Sequence, residues 1–207
     1  MKDTPTPDGH SLADLIGSRL CHDLVSPLGA IGNGVELIEL TGSARGPEMD
    51  LIRDAVRDAQ ARIRFLRIAF GASGTTQTIS AREARSTAMG LWQASRLVLD
   101  WTVGTDLPRQ QVRIGYLMLL CAETALPMGG TVTIGLDATG RWRLDAVAPR
   151  VTSDEALWSV LRFGMAAAGR PLRPAEAQFA ALHSAAEPLD MTINYILRED
   201  GLSMTTA

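Results

Sequence analysis

Lysine is nearly missing from this 207-residue sequence: Lys2 is the only one, against nineteen arginines. No lysine is therefore available inside the folded part to cradle phosphates in a Walker loop, form a Schiff base or pair with nucleotide phosphates as in protein kinases. Cysteine is scarce as well. Cys21 and Cys121 share no CxxC or Cys/His ligand spacing, which excludes a disulfide framework or a zinc site and leaves two free thiols expected to be buried. The net charge of −3 excludes the basic stripe that nucleic-acid binding requires. No run approaches the roughly 18 apolar residues of a membrane span, and the opening MKDTPTPDGH has no apolar signal core, so a cytoplasmic protein is expected. With 46% hydrophobic and 21% charged residues, the chain can bury an ordinary core.

What is present divides near residue 75. From Ser11 to Gly71 the pattern reads as two helices. The first runs from about Leu12 to Leu40, with a stripe at Leu24, Ile31, Val35 and Ile38; TGSARGP breaks it, and Pro47 takes the first turn of the second. Met49, Ile52, Val56, Ala59, Ile63, Leu66 and Phe70 then alternate spacings of three and four, a heptad seam, before Gly71 stops the helix. A lone hairpin buries only one side of each seam, so pairing of two copies into a four-helix bundle, a homodimer, is expected. GASGTTQT (71–78) reads as a linker between a hairpin domain, 1–75, and a second domain, 76–207.

In the second domain Ser80 and Glu83 form a capping box for a helix expected to reach about Leu97. LVLDWTV reads as a strand, Pro108 opens a helix that Pro127 closes, and TVTIGLD-ATG-RWRLDAVA alternates with period two around a glycine turn. Ser153 is the expected cap of a helix to Phe163, Pro174 begins another to about Ala186, and Asp200-Gly201 turns a last hairpin. Helices against a mostly antiparallel sheet make an α/β sandwich, so the fold class is α+β. Trp92, Trp101, Trp142 and Trp158 are expected in its core.

The stretch RLCHDLVSPLGAIGNGVELI carries a histidine beside an acid. At about 100° per residue, Ile31 lies about 180° from His22, so the histidine faces away from the apolar stripe. Its outer-face neighbours are Leu15, Ser18, Arg19, Val25, Ser26, Gly29 and Asn33, mostly small on the C-terminal side. Helical glycines each cost up to about 1 kcal/mol, which argues for a close approach to the backbone there. Pro27 removes a helical hydrogen bond. Asp23, directly or through a neighbour, can accept a hydrogen bond from one imidazole nitrogen and leave the other's lone pair outward as a nucleophile. His10 and His183, by contrast, read as a residue of the N-terminal stretch and a packing or surface residue. Arg53, Arg57, Arg62, Arg64 and Arg67 read as a solvated face. Gly32-Asn33-Gly34 follows no strand and is not a phosphate loop.

The string H-D-L-V-S-P-L, His22 to Leu28, resembles the phosphoacceptor box H-[ED]-x-x-[ST/N]-P-[LI] of sensor histidine kinases. That resemblance implies that His22 is the phosphorylated residue, Asp23 its acid/base or orienting partner, Ser26 the polar residue one turn on, and Pro27 the kinking proline. LMLLCAETALPMGGTVTI (117–134) resembles in turn the kinase ATP-site pattern N-L-L-x-N-A-x-K-…-P-x-G-G-x-V-x-V. Leu117, Cys121 and Thr124 stand where the two asparagines and the lysine belong, and neither D-x-G-x-G nor G-x-G-x-G follows the hairpin. A thiol and a hydroxyl do not replace a hard oxygen ligand and an ammonium.

A hairpin with an intact box and a degenerate, Bergerat-like lobe resembles the ChpT-type histidine phosphotransferases. Their pattern implies a phosphorelay: the receiver domain of a hybrid kinase passes its aspartyl phosphate to His22, which passes it to a response regulator. No ATP or metal of the chain's own is implied, because the receiver brings the magnesium. Ser18, Ser26, Gly29 and Asn33, with Val25 and Leu15 as apolar contacts, form the expected docking face. Arg19 either steadies the transferring oxygens or is a solvated surface arginine. The competing readings are an atypical ATP-dependent histidine kinase and a non-catalytic dimeric scaffold.

Overall fold

A computed structural model describes residues 11–41, 46–71, 77–93 and 95–207. The turn after the first helix, most of the linker at 71–78, and His10 lie outside these residues. The order is helix α1 (Leu12–Thr41), α2 (Pro47–Ala69), strand β1 (Thr78–Ile79), α3 (Ala81–Trp92), β2 (Leu97–Trp101), β3 (Leu107–Pro108), α4 (Arg109–Ala125), β4 (Gly130–Leu136), β5 (Trp142–Val147), α5 (Glu155–Phe163), α6 (Ala177–Ala186), β6 (Ile193–Leu197) and β7 (Gly201–Thr206). Among the described residues no helix is long and apolar enough to cross a membrane.

The expected α+β architecture, a helical pair followed by an α/β layer, is what the chain adopts. The five-stranded sheet runs β2-β4-β5-β7-β6. Only β2 and β4 are parallel, with Leu97 opposite Gly130; the β4–β5 hairpin forms where the period-two pattern lies and the β6–β7 hairpin at the Asp200-Gly201 turn. Alternation sets one face inward: Leu97, Leu99 and Trp101 of β2 are buried while Val98 and Asp100 are exposed.

Some boundaries differ from the sequence reading. Helix α3 stops at Trp92, because Leu97 belongs to β2. Its N-cap is as expected, Ser80 Oγ accepting from the Glu83 amide at 3.2 Å. Helix α5 is capped by Asp154, not Ser153: the Asp154 carboxylate accepts from the Leu157 amide at 3.1 Å. The small β1–β3 ladder was not expected, since two residues per strand carry no periodicity.

The base of the hairpin and the second layer share one core. Phe65 of α2 stacks on Tyr116 of α4 with centroids 4.2 Å apart and meets Trp92 of α3 edge-on at 5.2 Å. Trp101 packs edge-on against both Tyr116 and Trp142. Gly115 makes room for this group, since a Cβ there would lie 2.6 Å from the Trp142 ring. All four tryptophans are buried, as expected. Arg113 of α4 donates to the Ala69 carbonyl at 3.1 Å, satisfying an orphan acceptor at the end of α2. The hairpin is thus bonded to the sheet layer rather than merely tethered to it.

Candidate functional site

His22 lies about a third of the way along α1 with its ring 83% exposed. Its Nδ1 faces Asp23 Oδ1 at 3.4 Å. The other carboxylate oxygen, Asp23 Oδ2, accepts from Arg19 Nε at 2.7 Å. Arg19 and Asp23 are one helical turn apart, but theirs is no exposed pair: their side chains are 14% and 13% exposed. The guanidinium reaches into the second layer, where NH1 donates to the Ala175 carbonyl at 2.8 Å and to Gln178 Oε1 at 3.1 Å. Gln178, fully buried in α6, donates through Nε2 to Thr124 Oγ1 of α4 at 2.8 Å. One polar chain therefore runs from α4 through α6 to the imidazole on α1.

With Nδ1 turned to a carboxylate, Nε2 is the outward nitrogen, and an imidazole so placed can act as a nucleophile. Ser18, Val25, Ser26, Gly29 and Asn33 lie along the same side of the helix and are exposed. A side chain built on Gly29 or Gly32 would meet nothing within 4 Å, so the helix surface C-terminal to His22 is open at both glycines. Gly34 serves the hairpin instead: a Cβ there would sit 2.5 Å from Ile52 of α2.

Three expectations need correction. Leu15 is not on the exposed face; it is 3% exposed, because the start of α1 is covered by α6 and the turn before it. Arg19 is neither a solvated cation nor an open docking residue, its guanidinium being held by Asp23, Ala175 and Gln178. Cys21 is exposed rather than buried, while Cys121 is buried as expected. Pro27 is buried within an otherwise continuous helix. His183 behaves as a packing residue, its Nδ1 lying 3.3 Å from the Leu161 carbonyl.

The family model for the histidine phosphotransferase C-terminal domain matches residues 81–201 of the chain. The chain is also 35% identical over 179 residues to the protein phosphotransferase ChpT of Brucella abortus strain 2308, covering 86% of this chain and 76% of that protein. The chain belongs to the histidine phosphotransferase family. A solved bacterial phosphotransferase superposes with a TM-score of 0.80 at 29% identity, covering 95% of each chain.

In this histidine phosphotransferase two of the three positions that depart from the kinase pattern are built into the core, while Thr124 lies at its exposed edge. Leu117 and Cys121 are completely buried in α4, and burial pushes the Cys121 thiol well above its ordinary range. Thr124 Oγ1 is committed to the Leu120 carbonyl, at 3.1 Å, and to Gln178. Helix α6 packs along α4 at this level.

A polar cavity of about 220 Å³ opens beside the Arg19–Asp23 pair, lined also by Asp58, Arg62, Trp92 and Glu123. Glu123 accepts from Trp92 Nε1 at 2.8 Å. Burial raises its carboxyl above the usual range, against the pull of the Trp92 bond and of Arg19 and Arg62.

Ala175 and Gln178 were not identified from the sequence. A backbone carbonyl leaves no trace in it. Gln178 leaves a weak one, as an amide among the alanines and aromatic of AQFAALHSAA at a position facing the core. The turn carrying Ala175 is fixed by Glu176, which is buried and takes hydrogen bonds from Arg170 NH1 at 2.8 Å, Arg173 Nε at 3.0 Å and the Arg173 amide at 2.9 Å. Burial disfavours its charge, but the arginine bonds prevail and bring the carboxyl down to about 2. A depressed carboxyl stabilises the fold above its ordinary range and loses that contribution as pH falls toward its folded value. Wild-type stability should therefore fall between about pH 4.5 and 2 by roughly 2–3 kcal/mol more than that of Glu176→Gln. Urea melts at stepped pH measure this, and parallel pH dependence of the two proteins would refute it.

Proposed function

We propose that His22 is the phosphoryl acceptor and donor of this histidine phosphotransferase, moving a phosphoryl group between aspartates of receiver domains. The observation that carries the reading is an imidazole 83% exposed whose Nδ1 is turned to the anchored Asp23 carboxylate, within the box His22 to Leu28. Nε2 attacks phosphorus of the receiver's aspartyl phosphate; the new N–P bond forms as the acyl O–P bond breaks, and the receiver's aspartate leaves as a carboxylate. The proton stays on Nδ1, so the product is a phosphorylated imidazolium whose charge Asp23 neutralises. The second transfer runs the same steps in reverse. An exposed in-line nucleophile with one compensating charge is most of what this chemistry asks of the acceptor.

The receiver docks over Ser18, Val25, Ser26, Gly29 and Asn33, where small side chains and open glycines admit a close partner. The partners are the receiver domain of a hybrid histidine kinase upstream and the receivers of response regulators downstream, in the cytoplasm. Magnesium belongs to the receiver, and the phosphotransferase itself uses neither metal nor ATP. Two facts support that assignment: Leu117 and Cys121 replace the oxygen ligands of the kinase pattern, and both are buried. The chain works as a homodimer through the open seam of the hairpin.

A panel of purified receiver domains charged with labelled acetyl phosphate tests the proposal. Label should move onto the wild-type chain from at least one of them, and none should arrive from γ-labelled ATP alone. Labelling by ATP without a kinase, or no acceptance from any charged receiver, would overturn it.

A further inference from the structure

We infer that Gln178 is a positioning residue for phosphoryl transfer: from the second layer it fixes Arg19, and through Arg19 it aims Asp23 at His22. The inference rests on His22 being the acceptor. A turn of helix carrying Arg19 and Asp23 holds the pair only weakly by itself, since exposed ion pairs at this spacing are worth about 0.3–0.5 kcal/mol and the arginine has many rotamers. Here the guanidinium is anchored at three points. Asp23 takes Nε at 2.7 Å, the Ala175 carbonyl takes NH1 at 2.8 Å, and Gln178 Oε1 takes NH1 at 3.1 Å.

Gln178 can serve as a fixed point because it is fully buried and both ends of its amide are used, Nε2 donating to Thr124 Oγ1 at 2.8 Å. Its amide therefore cannot flip without breaking both bonds. With Arg19 held from one side, Oδ1 of Asp23 is left toward His22 Nδ1, the orientation that keeps the proton on Nδ1 and the lone pair on Nε2. This gives the second layer a part in the transfer that needs no nucleotide: the hydroxyl of Thr124 and the amide of Gln178 brace the acid beside the acceptor. A free hairpin would carry the same His22 and Asp23 without that brace.

The test uses the full chain. Gln178→Leu keeps the volume and removes both amide bonds. We expect the transfer rate at saturating charged receiver to fall about 10-fold, while the receiver concentration giving half that rate changes less than about 2-fold. Side-chain ¹⁵N spectra of His22 should move from the Nδ1–H tautomer toward the Nε2–H tautomer, a change that loose packing elsewhere does not produce. Arg19→Met should give the same loss, and the double variant no more than either single one, because both act through one carboxylate.

Wild-type transfer and an unchanged tautomer in Gln178→Leu, or losses that multiply in the double variant, overturn the inference. If Gln178→Leu does not fold, Thr124→Val carries the test. An about 3-fold loss with the same tautomer change supports the brace, and wild-type behaviour refutes it. His22→Gln in the same panel separates the two levels: label on that variant defeats the acceptor assignment, whereas an inert His22→Gln beside wild-type Gln178 variants defeats only the brace.

Discussion

His22→Gln should accept no phosphoryl group from any charged receiver, a loss of at least about 10³-fold, while unfolding at the same temperature as wild type. Glutamine matches the size and polarity of the imidazole, but its amide nitrogen has no free lone pair to form the N–P bond. The ring it replaces is 83% exposed and approaches Asp23 only at 3.4 Å, so the fold loses almost nothing. Asp23→Asn is the informative contrast. The nucleophile stays, but the charge that neutralises the phosphorylated imidazolium and fixes the tautomer is gone, so transfer should fall about 10²-fold without vanishing. That variant also strips Arg19 of its carboxylate in a site where both side chains are largely covered, and its melting temperature should drop. Rapid-quench transfer assays beside calorimetry separate the two effects. Transfer to His22→Gln would end the assignment, and an unimpaired Asp23→Asn would end the role given to the carboxylate.

Leu15 and His22 show where sequence reading succeeds and where it stops. They are seven residues apart on α1 and so only about 20° apart around the helix, yet one is 3% exposed and the other stands in solvent. Helical periodicity orients residues within an element and places His22 opposite the stripe through Ile31. It says nothing of α6 and its preceding turn, which come from a segment more than 150 positions away and cover the first turns of α1, Leu15 among them. Arg19 was misjudged for the same reason, since its partners Ala175 and Gln178 are 156 and 159 residues away. Elements with strong local signals were readable: the Ser80 cap, the period-two hairpin of β4 and β5, and the Asp200-Gly201 turn between β6 and β7. The sequence pattern lets helix α3 run up to Leu97, where the strand LVLDWTV begins; the helix ends at Trp92, and the parallel pairing with β4 gives Leu97 to the strand. The positions that depart from the kinase pattern were legible only through the resemblance to that pattern, which places a thiol and an alkyl chain where it has asparagines. What replaced them was not, because Thr124 finds its partner on a helix that no local pattern connects to α4.

Ile63→Glu should convert the proposed dimer to a monomer. On α2, Val56 and Ile63 are exposed and seven residues apart, so they form one line along the helix, while Ala59 and Leu66 on the flank of the same seam, and Ala55 beyond them, are buried. On α1, Leu28 and Val35 make a second exposed line, also seven apart. Close packing between the helices is already spent at Gly34 and Ile52, leaving these lines open to a partner rather than to each other. Two copies set side by side cover all four lines, which is the geometry of a four-helix bundle. A glutamate in that seam loses the apolar burial of isoleucine and must be desolvated, a penalty of about 2–3 kcal/mol that two-fold symmetry counts twice. The dissociation constant should then rise by about 10³-fold or more. Sedimentation equilibrium over a range of concentrations reads this directly. Phe65 stays locked between Tyr116 and Trp92, so the monomer should keep its near-UV signal. A wild-type chain that sediments as a monomer at micromolar concentration, or a glutamate variant that remains a dimer, would show that these exposed apolar lines meet something other than a second copy of the chain.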